Sequence, residues 1–227
     1  MNASTAGRHA RVGVLLSGRG SNFVALAQAL AKGEAPAEIA LVVSNVANAP
    51  GLTRARELGV ATAVYPQCDF PSRAAHEGEI QSAFRGAGVE WICLAGYMRL
   101  LTPQFVAAFA NRILNIHPSL LPAFPGLHPQ RQALVAGVKI SGCTVHLVDG
   151  GLDSGPIVLQ RPVPVEDDDD EEALSQRILV EEHLAYPRAL RRLLAERWIV
   201  DGRRLRFLGA PSAAAKSGAP KEFSAGG

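Results

Sequence analysis

Short apolar runs rich in β-branched residues alternate with amphipathic segments of helical length over the first half of the chain. The runs predicted as strands are residues 11–16, 39–44, 61–65, 91–95 and 113–117. The segments predicted as helices are residues 22–32, 52–58, 72–85 and 103–110. Because parallel strands are joined by crossovers that are usually helices, this order predicts βαβ units. We therefore expect an α/β fold with a mostly parallel, twisted sheet and helices on both faces.

A different pattern follows residue 140. Two consecutive strands are predicted at residues 141–148 and 156–165, joined by the glycine-rich stretch "DGGLDSGP", so this C-terminal part is expected to pair antiparallel. The seven acidic residues 166–172 precede a helix predicted at residues 173–195. We interpret them as the solvated start of that helix, since acidic groups suit a helix N-terminus. The stretch "WIVDGRRLRF" predicts a hairpin turning at Asp201 and Gly202.

Chain length and end composition predict one domain. A chain of 227 residues suits a single compact unit better than two well-built ones. We assign residues 11–209 to that domain and expect residues 1–10 to form a flexible N-terminus. Residues 210–227 are rich in Ala, Ser, Gly, Lys and Pro, which predicts a disordered tail.

Charge, hydropathy and cysteine spacing exclude several classes of protein. Lys and Arg number 23 against 21 Asp and Glu, too balanced for a nucleic-acid-binding surface. No stretch approaches the roughly 20 apolar residues that span a bilayer, and no signal peptide is expected, since the first apolar run has only five residues. The cysteines are far apart and never in a C-x-x-C, which argues against disulfides and zinc clips: Cys68, Cys93 and Cys143. The predicted location is the cytoplasm.

The stretch "VGVLLSGRGSN" reads as a strand, a glycine turn and a helix start. Gly18 and Gly20 permit a tight backbone and close approach of a ligand. The amides of Gly20, Ser21 and Asn22 would open the helix, where free N–H groups favour a phosphate. A plain turn capped by Ser21 or Asn22 is the alternative, and both interpretations stay open at this point.

Larger nucleotides do not fit this loop. The third glycine of a dinucleotide fingerprint would fall at Phe23. The second predicted strand ends at Ser44 and Asn45, without an acidic residue for a ribose diol. No G-K-[ST] sequence is present, so a nucleoside triphosphate loop is also excluded. A phosphomonoester is the predicted ligand.

The stretch "NIHPSLLPAFPG" places two polar side chains at the end of an apolar strand. Residues two apart on a strand share a face, so Asn115 and His117 project together. Pro118 restricts His117 to extended backbone and ends the strand there. Because the carboxyl ends of parallel strands line the ligand crevice of open α/β sheets, we expect both side chains in such a crevice.

A second polar group follows in "GCTVHLVDGGLDSGP". Thr144 and His146 share one strand face, and the glycine turn after them can return Asp153 toward His117. An amide, an imidazole and a carboxylate suit acyl transfer, since they steady an oxyanion and move protons. No serine or cysteine stands in a nucleophile motif, so the attacking group must belong to a substrate.

The histidines have two alternative interpretations. An isolated His117 would be a core histidine, but its neighbours in the pattern favour a site. A metal held by His117, His128 and His146 is disfavoured, because no two of them have the ligand spacing of a helix or strand.

Four stretches in this order resemble the 10-formyltetrahydrofolate-dependent formyltransferases: "SGRGSN", "LAGYMRLL", "NIHPSLLPAFPG" and "GCTVHLVDGGLDSGPI". The resemblance extends from about residue 11 to "EEHLAYP" at residues 181–187. An early "SGRGSN" with a late "EHLAYP" is similar to the branch that formylates glycinamide ribonucleotide. The resemblance implies a single-domain, Rossmann-like formyltransferase fold.

The resemblance also implies roles for individual residues. The catalytic trio would be Asn115, His117 and Asp153, with Thr144 and His146 in support. The substrate phosphate would bind Gly20, Ser21 and Asn22, and the ribose would lie near Glu182. The folate pterin would be lined by Met98, Arg99, Leu100 and Leu101, and Arg73 would meet the folate carboxylate tail.

The implied reaction is direct formyl transfer. The amine of glycinamide ribonucleotide would attack the formyl group of 10-formyltetrahydrofolate, a cosubstrate, and no metal is needed. Asn115 and a protonated His117 would face the oxyanion, and Asp153 would remove the amine proton. The partners are then two small molecules, without nucleic acid or membrane, and assembly as a homodimer is left open.

Related activities stay open as alternatives. Methionyl-tRNA formyltransferase shares the trio but carries a further RNA-binding domain, and formyltetrahydrofolate hydrolase usually carries an N-terminal regulatory domain. We expect neither of these domains here. A catalytically inactive sugar-phosphate-binding protein is the alternative from another class, and the intact trio argues against it.

Overall fold

A computed structural model describes residues 9–209, and the predictions for residues 1–8 and 210–227 lie outside this range. The strands in this range are β1 (Ala10–Leu16), β2 (Ala37–Ser44), β3 (Thr62–Val64), β4 (Trp91–Leu94), β5 (Ile113–His117), β6 (Ile140–Leu147), β7 (Ile157–Pro164), β8 (Arg197–Asp201) and β9 (Arg204–Leu208). The α-helices are α1 (Ser21–Ala31), α2 (Pro50–Glu57), α3 (Arg73–Gly86), α4 (Pro103–Ala108), α5 (Pro129–Ala136) and α6 (Glu171–Ala195). A short 3-10 helix spans Gln67–Asp69.

All nine strands form one sheet in the order β3-β2-β1-β4-β5-β6-β7-β9-β8. The first five strands are parallel to one another, as the alternating pattern predicted. The chain runs outward from β1 to β3, then returns to place β4 on the other side of β1. The order of strands therefore reverses between β1 and β4, and ligands of open α/β sheets bind at this position.

The C-terminal part pairs antiparallel, which confirms the prediction for residues 141–165. Strand β6 runs antiparallel to both β5 and β7. The predicted hairpin forms as β8 and β9, and it joins the same sheet through one parallel contact between Ile157 and Arg204. The Arg192 guanidinium lies 3.6 Å from the Phe207 ring centroid, which fastens the hairpin to α6.

Helices cover both faces of the sheet, as predicted. Alternating residues of the parallel strands enter two hydrophobic cores, since successive side chains of a strand point to opposite faces. Val14 and Leu16 enter the core beneath α1 and α6, whereas Leu15 enters the core beneath α3 and α4. Gly13 gives α3 room to approach β1, because a Cβ there would lie 2.5 Å from the Phe84 ring.

The acidic run begins α6 as interpreted, although the helix starts two residues earlier than predicted. The Asp170 side chain caps it by accepting from the Ala173 N–H at 2.8 Å. Asp169 pairs with the Arg177 guanidinium, and Asp167 pairs with Lys139. These acids therefore stabilise the helix start and the loop before it.

Helix α5 was not predicted, because the proline-rich segment after His117 was interpreted as non-helical. That interpretation holds for residues 118–128, but Pro129 then occupies the first helical turn. His128 and Gly137 adopt left-handed backbone at the two ends. Proline at a helix start and glycine just past its end are the signals that could have identified it. Of the helices described, none has the length and apolar run that crossing a bilayer requires.

Candidate active site

Strands β5 and β6 bring the predicted polar side chains together. In the antiparallel register Asn115 lies opposite His146, and His117 lies opposite Thr144. The Asn115 side-chain amide nitrogen is 3.1 Å from His146 Nε2. These contacts place the amide and both imidazoles at one end of the sheet.

Asp153 completes the group. One carboxylate oxygen, Oδ2, is 3.4 Å from His117 Nδ1 and accepts the Gly126 N–H at 2.9 Å. The other, Oδ1, is 3.7 Å from His146 Nε2. The side chain is only 11% exposed, so its charge acts on these neighbours with little screening by water. The structure thus assembles the three predicted residues, whose catalytic roles stay predictions.

Hydrogen bonding and burial identify the protonation state and the tautomer of His146. Its Nδ1–H donates to the Leu147 carbonyl at 2.9 Å. Burial lowers its pKa, against the smaller opposing effects of that hydrogen bond and of Asp153, so the ring is neutral. Its Nε2 is then an acceptor, so the 3.7 Å approach to Asp153 is not an ion pair. This Nε2 accepts one amide N–H of Asn115 and leaves the second N–H available to a ligand.

His117 faces acceptors at both ring nitrogens. Its Nε2 lies 2.9 Å from the Phe124 carbonyl, and its Nδ1 faces Asp153. An imidazole with an acceptor at each nitrogen is well placed to carry two protons and a positive charge. The role of His117 as a cation beside a developing oxyanion stays a prediction.

Thr144 supports the site from behind. Its hydroxyl donates to the Ser119 carbonyl at 2.7 Å and accepts the Leu121 N–H at 3.0 Å. The Gln160 side-chain amide donates to both Thr144 Oγ1 and the Leu121 carbonyl. These bonds fix the proline loop that supplies the Phe124 carbonyl to His117. The sequence did not identify Gln160 as a supporting residue, because a polar residue on a strand does not indicate which distant groups it contacts.

The backbone of the turn that carries Asp153 lies so close to other atoms at two positions that a Cβ would clash there. A Cβ at Gly155 would lie 1.9 Å from the Leu147 carbonyl oxygen, and one at Gly151 would lie 2.2 Å from Ser154 Oγ. The Asp149 carboxylate accepts the Gly151 N–H and the Ser154 hydroxyl. The turn can therefore fold back tightly enough to direct Asp153 at the histidines.

The loop before α1 is open to an anion. Gly20 is the N-cap residue in left-handed backbone, with φ 69°, and no side chain caps the helix. The Asn22 amide instead donates to Glu182 Oε2 at 2.8 Å. The alternative in which Ser21 or Asn22 caps the helix is therefore wrong. The amides of the first turn keep their capacity to bind a phosphate.

Glu182 is buried on α6 and reaches the start of α1 through Asn22. Burial raises its pKa to about 7, and the hydrogen bond from Asn22 opposes this rise. A carboxylate is rarely buried without a cation beside it, so this one carries a cost in stability. Such a cost is typical of groups that bind ligands.

We expect Glu182→Gln to stabilise the protein above neutral pH. A pKa of about 7 in the folded state, against 4.5 in the unfolded chain, means that the folded state holds the proton more tightly. Its stabilising contribution is complete below pH 4.5 and is lost as the pH rises through 7. At about 1.4 kcal/mol per pH unit, the free energy of unfolding of the variant should exceed that of the parent by about 3 kcal/mol at pH 8.

Denaturant unfolding from pH 4.5 to 8 measures this difference. The gain should shrink steadily as the pH falls, whereas Glu172→Gln, an exposed carboxylate on the same helix, should show no such trend. A gain that is absent at pH 8, or equal at every pH, would mean that Glu182 is not a raised-pKa group.

The residues predicted to line a folate pocket lie in the loop that follows β4. Met98 and Leu100 are 71% and 55% exposed, and Leu101 packs against the core beneath α3 and α4. Arg73 begins α3, and its Nε lies 3.4 Å from Glu77 Oε1. Glu77 also contacts Thr102 at the end of this loop, so Arg73 lies beside the loop, and its contact with the folate stays a prediction.

Two further residues that hold this loop, Ser17 and Glu77, were not identified from the sequence. Ser17 accepts the Met98 N–H at 3.0 Å and donates to Asn45 Oδ1 at 2.6 Å, and Glu77 holds Thr102. Each contact joins residues far apart in sequence, so no local pattern could identify it. In the described range, no cluster of three or more His, Cys, Asp or Glu side chains could hold a metal ion.

Comparisons with known proteins agree with this geometry. The family model described as "Formyl transferase" matches residues 10–190. Phosphoribosylglycinamide formyltransferase of Escherichia coli (strain K12) is 43% identical over 84% of this chain and 87% of its own length. The "Trifunctional purine biosynthetic protein adenosine-3" of Drosophila pseudoobscura pseudoobscura is 53% identical over 79% of this chain. The matched region spans only 13% of that longer protein.

A solved structure is similar over nearly the whole chain. The crystal structure of glycinamide ribonucleotide transformylase 1 from Symbiobacterium toebii gives a TM-score of 0.88 at 48% identity. It covers 92% of this chain, and the match covers 98% of that one. The predicted fold, a single Rossmann-like formyltransferase domain, is thereby confirmed. On sequence and fold together, the chain belongs to the formyl transferase family.

Proposed function

We propose that this protein transfers a formyl group from 10-formyltetrahydrofolate to the amine of glycinamide ribonucleotide. The products are N-formylglycinamide ribonucleotide and tetrahydrofolate, in purine biosynthesis. The grouping of Asn115, His117 and Asp153, at the same edge of the sheet as the uncapped start of α1, carries this proposal. The names of the E. coli and S. toebii relatives support the choice of acceptor.

The site residues have complementary tasks in this reaction. The substrate amine attacks the formyl carbon, and the carbonyl oxygen becomes an oxyanion. The free N–H of Asn115 donates to that oxyanion, and the positive charge of a protonated His117, whose ring nitrogens face Phe124 and Asp153, stabilises it electrostatically. Asp153 takes the proton lost by the amine, directly or through water. The bond from carbon to N10 then breaks, and N10 receives a proton as tetrahydrofolate leaves.

Binding follows from the two loops that flank the trio. The phosphate lies against the amides of Gly20, Ser21 and Asn22, where the helix start is positive. Glu182 accepts hydrogen bonds from the ribose hydroxyls, which explains why a carboxylate is kept at a buried position. The pterin lies against Met98, Arg99, Leu100 and Leu101. Arg73 pairs with the carboxylate tail of the folate.

The remaining properties follow from this assignment. The reaction needs 10-formyltetrahydrofolate as cosubstrate and no metal, nucleic acid or membrane. Both substrates are small molecules of the cytoplasm, which is the proposed location. Assembly as a homodimer stays open.

Purified protein incubated with both substrates should produce formylated glycinamide ribonucleotide, detected by mass spectrometry, together with an equal amount of tetrahydrofolate. Release of tetrahydrofolate at the same rate without the acceptor would instead identify a formyltetrahydrofolate hydrolase. Binding of glycinamide ribonucleotide without turnover would identify a sugar-phosphate-binding protein. The dephosphorylated acceptor should show a KM higher by about 10-fold or more, since charge-assisted hydrogen bonds are lost.

A further inference from the structure

Glu77 is a buried carboxylate on α3 that faces the loop after β4. It is 3% exposed. Its two oxygens lie 3.1 and 3.0 Å from the Thr102 backbone nitrogen, and the Thr102 hydroxyl donates to Oε2. Arg73 Nε lies 3.4 Å from Oε1. A buried charge is stable only where it is paired and hydrogen-bonded, so these contacts fix the carboxylate firmly.

Thr102 marks one end of the loop at residues 96–102. It is the N-cap residue of α4, and its hydroxyl accepts the Phe105 N–H at 3.3 Å. The other end is held at β1, where the Ser17 N–H donates to the Gly96 carbonyl and the Met98 N–H donates to Ser17 Oγ. Polar anchors therefore hold both ends of this loop.

Packing holds the middle of the loop only weakly. Met98 and Leu100 are largely exposed, whereas Tyr97 and Leu101 pack against the core, so the positions of the two exposed side chains depend on the backbone that carries them. A surface loop with few buried apolar contacts is more easily displaced than the core. The end anchored by Glu77 therefore strongly influences where residues 98–101 lie.

The same carboxylate pairs with one of the two arginines of this region, Arg73. Burial raises the pKa of the Tyr97 hydroxyl to about 12; Arg99 opposes this rise, Glu77 adds to it, and Arg73 opposes it. Both guanidinium groups thus lie close enough to Tyr97 to act on it, as does Glu77. The ion pair with Glu77 narrows the range of orientations of Arg73, which lowers the entropy that it loses on binding an anion.

We propose that Glu77 is a positioning residue for the folate cosubstrate. It holds the loop at residues 96–102 through Thr102, and it holds Arg73 through the ion pair. This inference rests on the proposed function, because it takes this loop and Arg73 as the folate-binding surface. It adds a buried residue that acts through others and need not touch the ligand itself.

The test is Glu77→Gln in the full-length protein. Glutamine keeps the size, but only its carbonyl oxygen can accept hydrogen bonds from Thr102, and it carries no charge for Arg73. The KM for 10-formyltetrahydrofolate should rise by about 10-fold or more, the loss expected for a charge-assisted hydrogen bond. The KM for glycinamide ribonucleotide and the kcat at saturation should stay within about twofold. Glu79→Gln, an exposed carboxylate on the same helix, is the matched control.

Thr102→Val is the second test of this contact, for the case in which Glu77→Gln does not fold. It removes the hydroxyl donor but leaves Glu77 bonded to the backbone N–H and paired with Arg73. Thr102→Ser keeps the hydroxyl and should restore the parent KM for the folate. An unchanged folate KM in folded variants, or an equal rise for both substrates, would overturn the proposal.

The experiment also distinguishes an error in the proposed function from an error in the role of Glu77. A parent protein that transfers no formyl group would reject that function, whatever Glu77 does. Calorimetric titration with tetrahydrofolate then still tests Glu77. Binding about 10-fold weaker in Glu77→Gln than in the parent supports the proposal, whereas equal binding, or no binding to either protein, contradicts it.

Discussion

Asp153→Asn is expected to lower kcat at least 100-fold, since a positioned acid or base contributes roughly 10²–10⁴ in rate. Asparagine keeps the size and can still accept the Gly126 N–H, but it cannot take the amine proton or oppose a charged His117. Residue 153 has a positive φ of 47°, a conformation that asparagine tolerates well. The fold should therefore survive the change.

Steady-state kinetics with both substrates measure the effect. Both KM values should change little, because neither substrate depends mainly on this charge. Asp149→Asn is the matched control, since it changes a carboxylate of the same turn that contacts Gly151 and Ser154. Turnover close to the parent rate would remove Asp153 from the mechanism. Lost binding together with a lower melting temperature would make it structural instead.

Asn115→Leu should lower kcat by roughly 10²–10³, the range found when one oxyanion donor is removed. Leucine is close to asparagine in size and suits a strand, so β5 should keep its pairing with β6. The variant loses the free N–H directed at the oxyanion, and it leaves His146 Nε2 without the donor that it has in the parent. Both KM values should change less than kcat, because the donor acts mainly in the transition state.

Thermal unfolding must accompany the kinetics for this variant. An unpaired buried acceptor costs about 1–3 kcal/mol, so the melting temperature should fall by several degrees without loss of folding. If kcat stays within tenfold of the parent, Asn115 is not an oxyanion donor. In that case its bond to His146 would be structural.

The site was predictable as far as local geometry determines it. Asn115 and His117 share a strand face because side chains alternate, and Pro118 ends the strand whatever surrounds it. The uncapped start of α1 was one of two alternatives in the sequence. The direction of the Asn22 side chain decided between them, and that direction depends on Glu182, which lies 160 residues away.

The sequence by itself determined the α/β class, the parallel orientation of the first five strands and the family, because these depend on periodicity and contiguous motifs. The tertiary structure alone decided how distant residues pair: His146 with Asn115, Thr144 with the proline loop, and Glu77 with Thr102. Such pairs form only after the strands take their places in the sheet. Hydrogen bonds of this kind act over about 3 Å, whereas the pattern of a sequence reports only on neighbours along the chain.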